Sequence, residues 1–285
     1  MSMTPSATGR SYPVRRSIRK PEEAHLRGVT LNELRGVART GDLWVSGHVP
    51  PIWDQGQEGS CTAHGNGRAY EIQRRTQGLP PMDPSRALLY DLERMLEGTA
   101  LTDDAGAQVP DGPAVLTASG CCDTSDYPYT AADLTTPPTP PVLAAAALHK
   151  VGSWARVSHT PADIIAMLAQ GFAVPFGFDV YESFESSAVA QTGVVPVPQH
   201  GEQLLGGHCM CITGWNITAL GGPHADGLLG WFMDRLEGSV PEDGYFLVDN
   251  SWGTGWGITG RCQFPFEMFR RGFAFDPLVI SHVLG

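Results

Sequence analysis

The chain lacks any apolar run approaching the ~18 residues of a membrane-spanning helix, so the sequence predicts no membrane span and no membrane partner. Its first residues, MSMTPSATGRSYPVRRSIRK, include basic side chains but no apolar stretch after them. That pattern does not fit a secretory signal peptide. Both absences together predict a cytoplasmic protein.

Cysteine is also scarce. The six cysteines of the chain are too few for a disulfide scaffold, and without a signal peptide we expect them to be reduced thiols. No pair of them has the C-x2-C spacing of a structural zinc site. The sequence therefore predicts no metal.

Positive charge is in short supply and unevenly spread. With 19 Lys and Arg against 30 Asp and Glu, the formal net charge is -11, so nucleic acid is not an expected partner. Residues 1–40 nevertheless hold eight basic side chains and three acidic ones, a net of +5. Because the whole chain carries -11, the remainder carries -16. A basic arm thus precedes an acidic body.

Helix signals dominate the first half of the chain and strand signals the second. Helices are predicted over residues 31–39, 61–76, 85–96 and 110–118, and one more after Thr160. VGSWARV, FAVPFGFDV, HCMCITGW and GYFLVDNSWG have strand composition. Four prolines between residues 137 and 141 predict a stiff polyproline-type connector between two lobes.

One stretch, WDQGQEGSCTAHGNG, places Cys61 where a predicted helix begins. A thiol is a poor nucleophile at neutral pH unless its pKa is lowered, and both a helix N-terminus and a neighbouring imidazolium lower it. A catalytic Cys61 therefore needs a histidine from elsewhere and a group that orients it. His208, preceded by two glycines that let a substrate approach closely, and Asn250 are the best candidates. On this basis we expect Cys61 to be alkylated well below pH 7.

These motifs, in this order, resemble the papain family of cysteine peptidases. Gln55 stands six residues before Cys61, where the family has its oxyanion-hole glutamine. GHCMCITGW resembles the histidine strand of the family, and NSWGTGWG is close to a family signature. The resemblance covers roughly residues 48–280. It implies an α+β, papain-like two-lobe fold, with a helical lobe, a β-barrel-like lobe and the active site in the cleft between them.

The domain organisation that follows has two parts. Residues 1–47 form a basic N-terminal arm with a short helix, and residues 48–285 form the peptidase domain. Within that domain we expect a mainly helical lobe over residues 48–137 and a β-rich lobe over residues 138–285.

The resemblance also implies an activity, the hydrolysis of peptide bonds in a peptide or protein substrate without a cofactor. The catalytic residues it implies are Cys61, His208, Asn250 and Gln55. The substrate-binding residues are Gly106, Ala107, Gly207 and Trp252. Trp252 is expected to shield the hydrogen bond between Asn250 and His208.

Several positions depart from the family pattern. Glu58 replaces a cysteine that is often disulfide-bonded, Thr62 replaces the usual aromatic residue after the nucleophile, and Ala107 replaces the second of two aligning glycines. The spacing between His208 and Asn250 requires an insertion, which we assign to a loop-rich segment over residues 217–243.

Two alternatives to hydrolysis stay open. The same residues serve transpeptidation or isopeptide cleavage, and a papain-like chain can also be a catalytically silent component of a larger assembly. The basic arm is expected to dock on the acidic body or on a partner. An arm that lies in the cleft would inhibit the enzyme. An arm that lies on the back of the body would be a structural strap that stabilises the fold, or it would bind a partner. Because it is shorter than the long propeptides of the family, we expect the back or side.

Overall fold

A computed structural model describes residues 9–10, 12–17, 38–219 and 243–284. The predicted arm helix lies almost wholly outside these residues, as does most of the predicted 217–243 loop. The described part contains helices α1 (Cys61–Thr76), α2 (Arg86–Glu97), α3 (Asp111–Ala118), α4 (Pro140–Ala146), α5 (Pro161–Ala169), α6 (Ser187–Thr192) and α7 (Phe266–Arg270). None of these helices has the length and apolar run that crossing a bilayer requires.

Eight strands accompany them: β1 (Thr40–Asp42), β2 (Val151–Arg156), β3 (Val174–Tyr181), β4 (Leu204–Ala219), β5 (Asp243–Asp249), β6 (Arg261–Pro265), β7 (Ala274–Phe275) and β8 (Leu278–Val283). Six of them form one antiparallel sheet in the order β6-β5-β4-β3-β7, with β1 also paired to β4. Strands β2 and β8 form a separate antiparallel pair. The sixteen-residue β4 is the centre of the large sheet.

The described residues bury two large hydrophobic cores, and this confirms the predicted α+β fold of two lobes. The helical core gathers apolar residues of α1, α2 and α3, such as Tyr70, Leu89 and Leu116. The β-lobe core is rich in aromatic rings, with the Phe176 ring centroid 5.1 Å from those of both Phe264 and Phe269. Aromatic and β-branched side chains on alternating strand positions fill the interior of such a sheet.

Helix boundaries agree closely with the sequence signals. Helix α1 spans the predicted residues, and α2 and α3 begin one residue later than predicted. Ser85 caps α2 by accepting a hydrogen bond from the Leu88 amide, and Thr160 caps α5 by accepting one from the Asp163 amide. Side-chain caps of this kind satisfy amides that have no partner within the helix.

The predicted polyproline-type connector is wrong in its second half. Pro140 and Pro141 form the first turn of α4, with Thr139 in extended conformation before them. Proline suits this position because its fixed φ is helical and the amide hydrogen it lacks would have no partner there. The last two of the four prolines thus start a helix instead of extending the connector.

The division of the chain at residues 137–138 stays a prediction. Packing after this point is shared between the lobes, because Ala146 of α4 and Val151 of β2 lie in the helical core. The last strand, β8, contributes Ile280 and Val283 to the same core. The pair of strands β2 and β8 therefore covers the helical lobe.

Helix α1 packs directly on β4 through a glycine. A methyl group at Gly65 would lie 2.8 Å from Cys209 Sγ and 3.5 Å from the Met210 carbonyl oxygen, so only a residue without a Cβ permits this approach. The contact sets the distance between the helix that begins with Cys61 and the strand that carries His208.

We expect Gly65→Ala to lower the free energy of unfolding by about 1–3 kcal/mol, because the added methyl group overpacks this interface. Chemical denaturation measures the change. Gly255→Ala is the matched control, since no atom lies within 4 Å of the Cβ it would add. Equal stability of the two variants would contradict the close packing of α1 on β4.

Candidate active site

Cys61 is the first residue of α1. The preceding residue, Ser60, makes no side-chain cap, so the first amides of the helix are left to stabilise an anion. The thiol is fully buried in a small apolar cluster with Val14, Val109 and Cys209. The sequence placed the cysteine correctly at the helix start, but it gave no sign that the thiol is covered.

His208 lies in β4 opposite Phe178 of β3, and Asn250 follows the last residue of β5. His208 Nε2 lies 2.9 Å from Asn250 Oδ1. An amide oxygen only accepts, so Nε2 donates, and the neutral ring keeps its lone pair on Nδ1. No described residue makes a hydrogen bond to that buried Nδ1 atom. The ring can therefore take up one proton at Nδ1.

Trp252 packs against the same imidazole. Its ring centroid is 5.0 Å from that of His208, and the indole is 6% exposed. Such an apolar cover excludes water from the hydrogen bond between His208 and Asn250, and a hydrogen bond in a low-dielectric setting is stronger than in water.

Gln55 is buried beside the start of α1. Its Oε1 accepts a hydrogen bond from the Ser251 hydroxyl at 2.5 Å, and its Nε2 donates to the Glu58 carbonyl oxygen at 2.7 Å. Because a primary amide has two N–H groups, the second remains for an oxyanion. Glu58, which replaces a family cysteine, thus orients the glutamine through its backbone.

The described part of the arm lies in the cleft, so the expectation that it packs on the back or side is wrong. The Gly207 amide donates to the Tyr12 carbonyl oxygen at 2.9 Å, and the Val14 amide donates to the Gly207 carbonyl oxygen at 3.2 Å. On the opposite wall, Arg15 forms a bridge with Gln108. Residues 12–15 are extended, as Pro13 requires of the residue before it, and they pair with both walls.

The arm contacts most of the residues predicted to bind substrate. Gly106 has a φ of +66°, and a Cβ there would lie 2.4 Å from Pro13 atoms. The Arg10 guanidinium carbon lies 4.4 Å from the centroid of Trp252. Ala107 is fully buried, and the arm pairs instead with the next residue.

Burial under the arm keeps both reactive groups neutral. Desolvation raises the pKa of the Cys61 thiol to about 12 and lowers the pKa of His208 to about 4. The hydrogen bond that His208 donates to Asn250 raises the pKa of His208, and the positive charge of Arg10 lowers it. The expectation of a Cys61 thiolate well below pH 7 is therefore wrong for this arrangement, because the sequence did not reveal the cover.

Comparisons with known proteins identify the family of this chain. A sequence-family model described as "Papain family cysteine protease" matches residues 38–267. The chain belongs to the papain family of cysteine proteases.

Relatives of this papain-family chain occur in a virus and in Entamoeba histolytica. It is 32% identical over 225 residues to an uncharacterized peptidase C1-like protein of Acanthamoeba polyphaga mimivirus, covering 75% of this chain and 64% of that protein. It is 26% identical over 245 residues to cysteine proteinase 2 of Entamoeba histolytica, covering 83% and 66%. The chain thus spans less than two thirds of the length of either relative.

Solved structures share the fold. The crystal structure of xylellain, a cysteine protease from Xylella fastidiosa, superposes with a TM-score of 0.80 at 25% identity, covering 99% of this chain and 98% of that one. A recombinant stem bromelain precursor superposes at 0.65 with 16% identity, covering 89% and 74%, which shows a common fold alone.

This papain-family site contains a buried ionic network that the sequence did not reveal. Asp249, the last residue of β5, is fully buried next to Asn250. Its carboxylate accepts hydrogen bonds from Trp44 Nε1, the Thr213 hydroxyl and two guanidinium groups. The two guanidinium groups belong to Arg68 of α1, at 3.1 Å, and Arg261 of β6, at 2.9 Å.

Thr62, where the papain family usually has an aromatic residue, has a structural partner. Its hydroxyl donates to the buried carboxyl of Glu93 at 2.6 Å, and burial raises the pKa of Glu93 well above its usual range. Across the described ranges, no three His, Cys, Asp or Glu side chains come close enough to hold a metal ion. All six cysteines are unpaired and buried.

We expect Asp249→Ala to lower the free energy of unfolding by about 3–5 kcal/mol, because it leaves the buried Arg68 guanidinium without its carboxylate. Arg261, in contrast, keeps its pairing with Asp42 at 2.8 Å. Thermal or chemical denaturation measures the loss. Asp126→Ala removes an exposed aspartate of the helical lobe and serves as the control. A loss no larger than that of the control would show that the network does not stabilise the fold.

Alkylation of Cys61 by iodoacetamide should be slow at neutral pH in the full-length protein. Because the pKa of the covered thiol is near 12, the rate should rise about tenfold per pH unit from pH 6 to 9 without a plateau. Mass spectrometry of the labelled peptide separates Cys61 from the other cysteines. A rate that is already constant near pH 7 would mean that the arm does not cover the thiol.

Proposed function

We propose that this protein is a cysteine peptidase that hydrolyses peptide bonds with Cys61, His208, Asn250 and Gln55. The observation that carries the proposal is the 2.9 Å hydrogen bond between His208 and Asn250, on residues that match the family motifs. The cleft has two walls that already pair with an extended peptide segment, the arm.

In the proposed mechanism, Cys61 first loses its proton to His208 Nδ1. The thiolate attacks the scissile carbonyl carbon, and a C–S bond forms. The Gln55 amide and the Cys61 backbone N–H stabilise the oxyanion, at about 3–4 kcal/mol per donor in comparable sites.

The acyl-enzyme then forms and is hydrolysed. His208 gives its proton to the leaving amine as the C–N bond breaks. It then takes a proton from a water molecule that attacks the thioester carbon, and the C–S bond breaks to release the acid product and the Cys61 sulfur. Asn250 holds the imidazole in the tautomer that these steps require. No cofactor takes part.

The arm is the inhibitory segment of this proposal. Its Val14 belongs to the apolar cluster that contains the fully buried Cys61, and the charge of its Arg10 disfavours an imidazolium at His208. An ion pair of thiolate and imidazolium is costly to form without water. The enzyme is therefore latent until residues 9–17 leave the cleft.

Val14→Asp should activate the full-length protein, because a carboxylate is not tolerated in the apolar cluster that Val14 occupies. We expect faster hydrolysis of casein-derived peptides and faster Cys61 alkylation at pH 7. Val45→Asp, which makes the same change at a residue that is 87% exposed, is the matched control. Equal rates in both variants would contradict inhibition by the arm.

In the Val14→Asp background, Cys61→Ala should abolish hydrolysis, and Gln55→Ala should lower turnover about 10²–10³-fold. Asn250→Ala should lower turnover while Cys61 stays alkylatable, since asparagine orients the imidazole and moves no proton. Added amine nucleophiles distinguish hydrolysis from transpeptidation, because acyl transfer gives amide products. A Val14→Asp protein that alkylates rapidly but cleaves no peptide would favour the silent structural alternative.

A further inference from the structure

Beyond covering the thiol, the arm occupies a charged site on the β-lobe wall. We propose that Asp179, Gly272 and Phe275 form an arginine-binding subsite, and that the peptidase prefers peptides that place an arginine there. The proposal rests on the proposed peptidase function and names its substrate class.

Three different contacts hold the Arg16 side chain in this subsite. Its Nη2 donates to Asp179 Oδ2 at 2.6 Å and to the Gly272 carbonyl oxygen at 2.7 Å. The guanidinium carbon lies 4.5 Å from the centroid of the Phe275 ring. A carboxylate, a carbonyl and an aromatic face together match the charge, the hydrogen-bond donors and the flat surface of a guanidinium.

The subsite belongs to the folded body and not to the arm. Asp179 lies in β3, where its amide donates to the Phe273 carbonyl oxygen at 2.9 Å. Phe275 of β7 packs against Gly177 of β3, where an added Cβ would lie 2.3 Å from the ring. Regular backbone pairing therefore positions these groups independently of the peptide that fills the cleft.

Side chains of the arm alternate between the two walls, as expected for an extended segment. Tyr12 and Arg16 reach the β-lobe carboxylates of Glu185 and Asp179, whereas Arg15 reaches Glu97 of the helical lobe. Val14, midway between the first two, enters the apolar cluster that includes Cys61 and Phe275. The arginine subsite thus lies two residues along an extended peptide from a position that touches the nucleophile.

Asp179 is the suitable carboxylate on this wall. Its side chain is 22% exposed, and burial raises its pKa while the charge of Arg16 lowers it. The neighbouring Asp276 is already paired with Arg156 at 2.7 Å. When the arm leaves, the half-buried Asp179 loses its cation, and an arginine of the substrate restores that pairing.

The test uses the full-length Val14→Asp protein and fluorogenic peptides that contain Val-x-Arg or Arg-x-Val, because a substrate can run in either direction relative to the arm. Each peptide has a twin with citrulline, which keeps the shape of arginine without its charge. We expect kcat/KM to be on the order of tenfold higher for the arginine peptide than for its citrulline twin in one of the two sequence orders. Lysine should fall between, since its ammonium cannot contact all three groups at once.

Asp179→Asn should bring the arginine-to-citrulline ratio close to one, whereas Asp126→Asn, on the exposed turn of the helical lobe, should keep it. If the protein with Asp179 intact cleaves the arginine and citrulline peptides at equal rates in both sequence orders, the proposed arginine subsite is wrong. Absence of any Cys61-dependent hydrolysis of all these peptides would instead overturn the proposed peptidase function.

A second measurement tests the subsite without catalysis. In the otherwise unchanged full-length chain, Arg16→Ala and Asp179→Asn should each accelerate Cys61 alkylation several-fold, because both release the arm. If the two groups act on each other, the double variant should be no faster than either single variant. Independent, multiplying effects would overturn the recognition of Arg16 by Asp179.

Discussion

The ion pair between Arg68 and Asp249 joins the two lobes behind the active site, and the arrangement of the catalytic groups depends on it. Arg68 lies two turns after Cys61 on α1, and Asp249 immediately precedes Asn250. Arg68 also donates to the carbonyl oxygens of Pro50 and Pro51. Burying two charges is costly, and only a complete set of hydrogen bonds offsets that cost. The pair therefore tolerates one relative position of helix and strand, which is the position that brings the thiol and the imidazole to the same cleft.

The arm acts on the same cleft by a different physical route, which is the removal of water. A thiol passes its proton to an imidazole readily when water or a partner stabilises the resulting thiolate and imidazolium. Both charges become unfavourable when a peptide covers the two side chains and excludes water. The arm forms backbone hydrogen bonds with Gly207, and these bonds do not depend on the side chains of the arm. Its side chains then add the contacts with Glu97, Asp179 and Glu185. The proposed inhibition and the proposed recognition of arginine thus use the same surface.

Local signals in the sequence did not reveal α6, α7, β1, β6, β7 or β8. Such signals did predict α1, α2, α3, α5 and β2 to β5, because caps, prolines and alternating apolar residues act over a few positions. They also predicted which side chains surround the cleft, since Gln55, Cys61, His208 and Asn250 stand in conspicuous motifs. What could not be predicted depends on contacts between distant segments. The burial of Asp249 requires side chains from α1, β4 and β6, and the place of the arm requires a groove that exists only in the folded body. The start of α4 at Pro140 was missed because proline signals both a connector and a first helical turn.

The complete burial of Cys61 also has a chemical consequence for the latent protein. Oxidants attack the thiolate and need access to the sulfur, and the covered site offers neither. In the proposed latent form, the arm therefore also keeps the sulfur reduced for as long as it stays in place. In an oxidising environment, the latent chain should keep its Cys61 thiol reduced for longer than the active form does. Activation therefore also exposes the sulfur to oxidation.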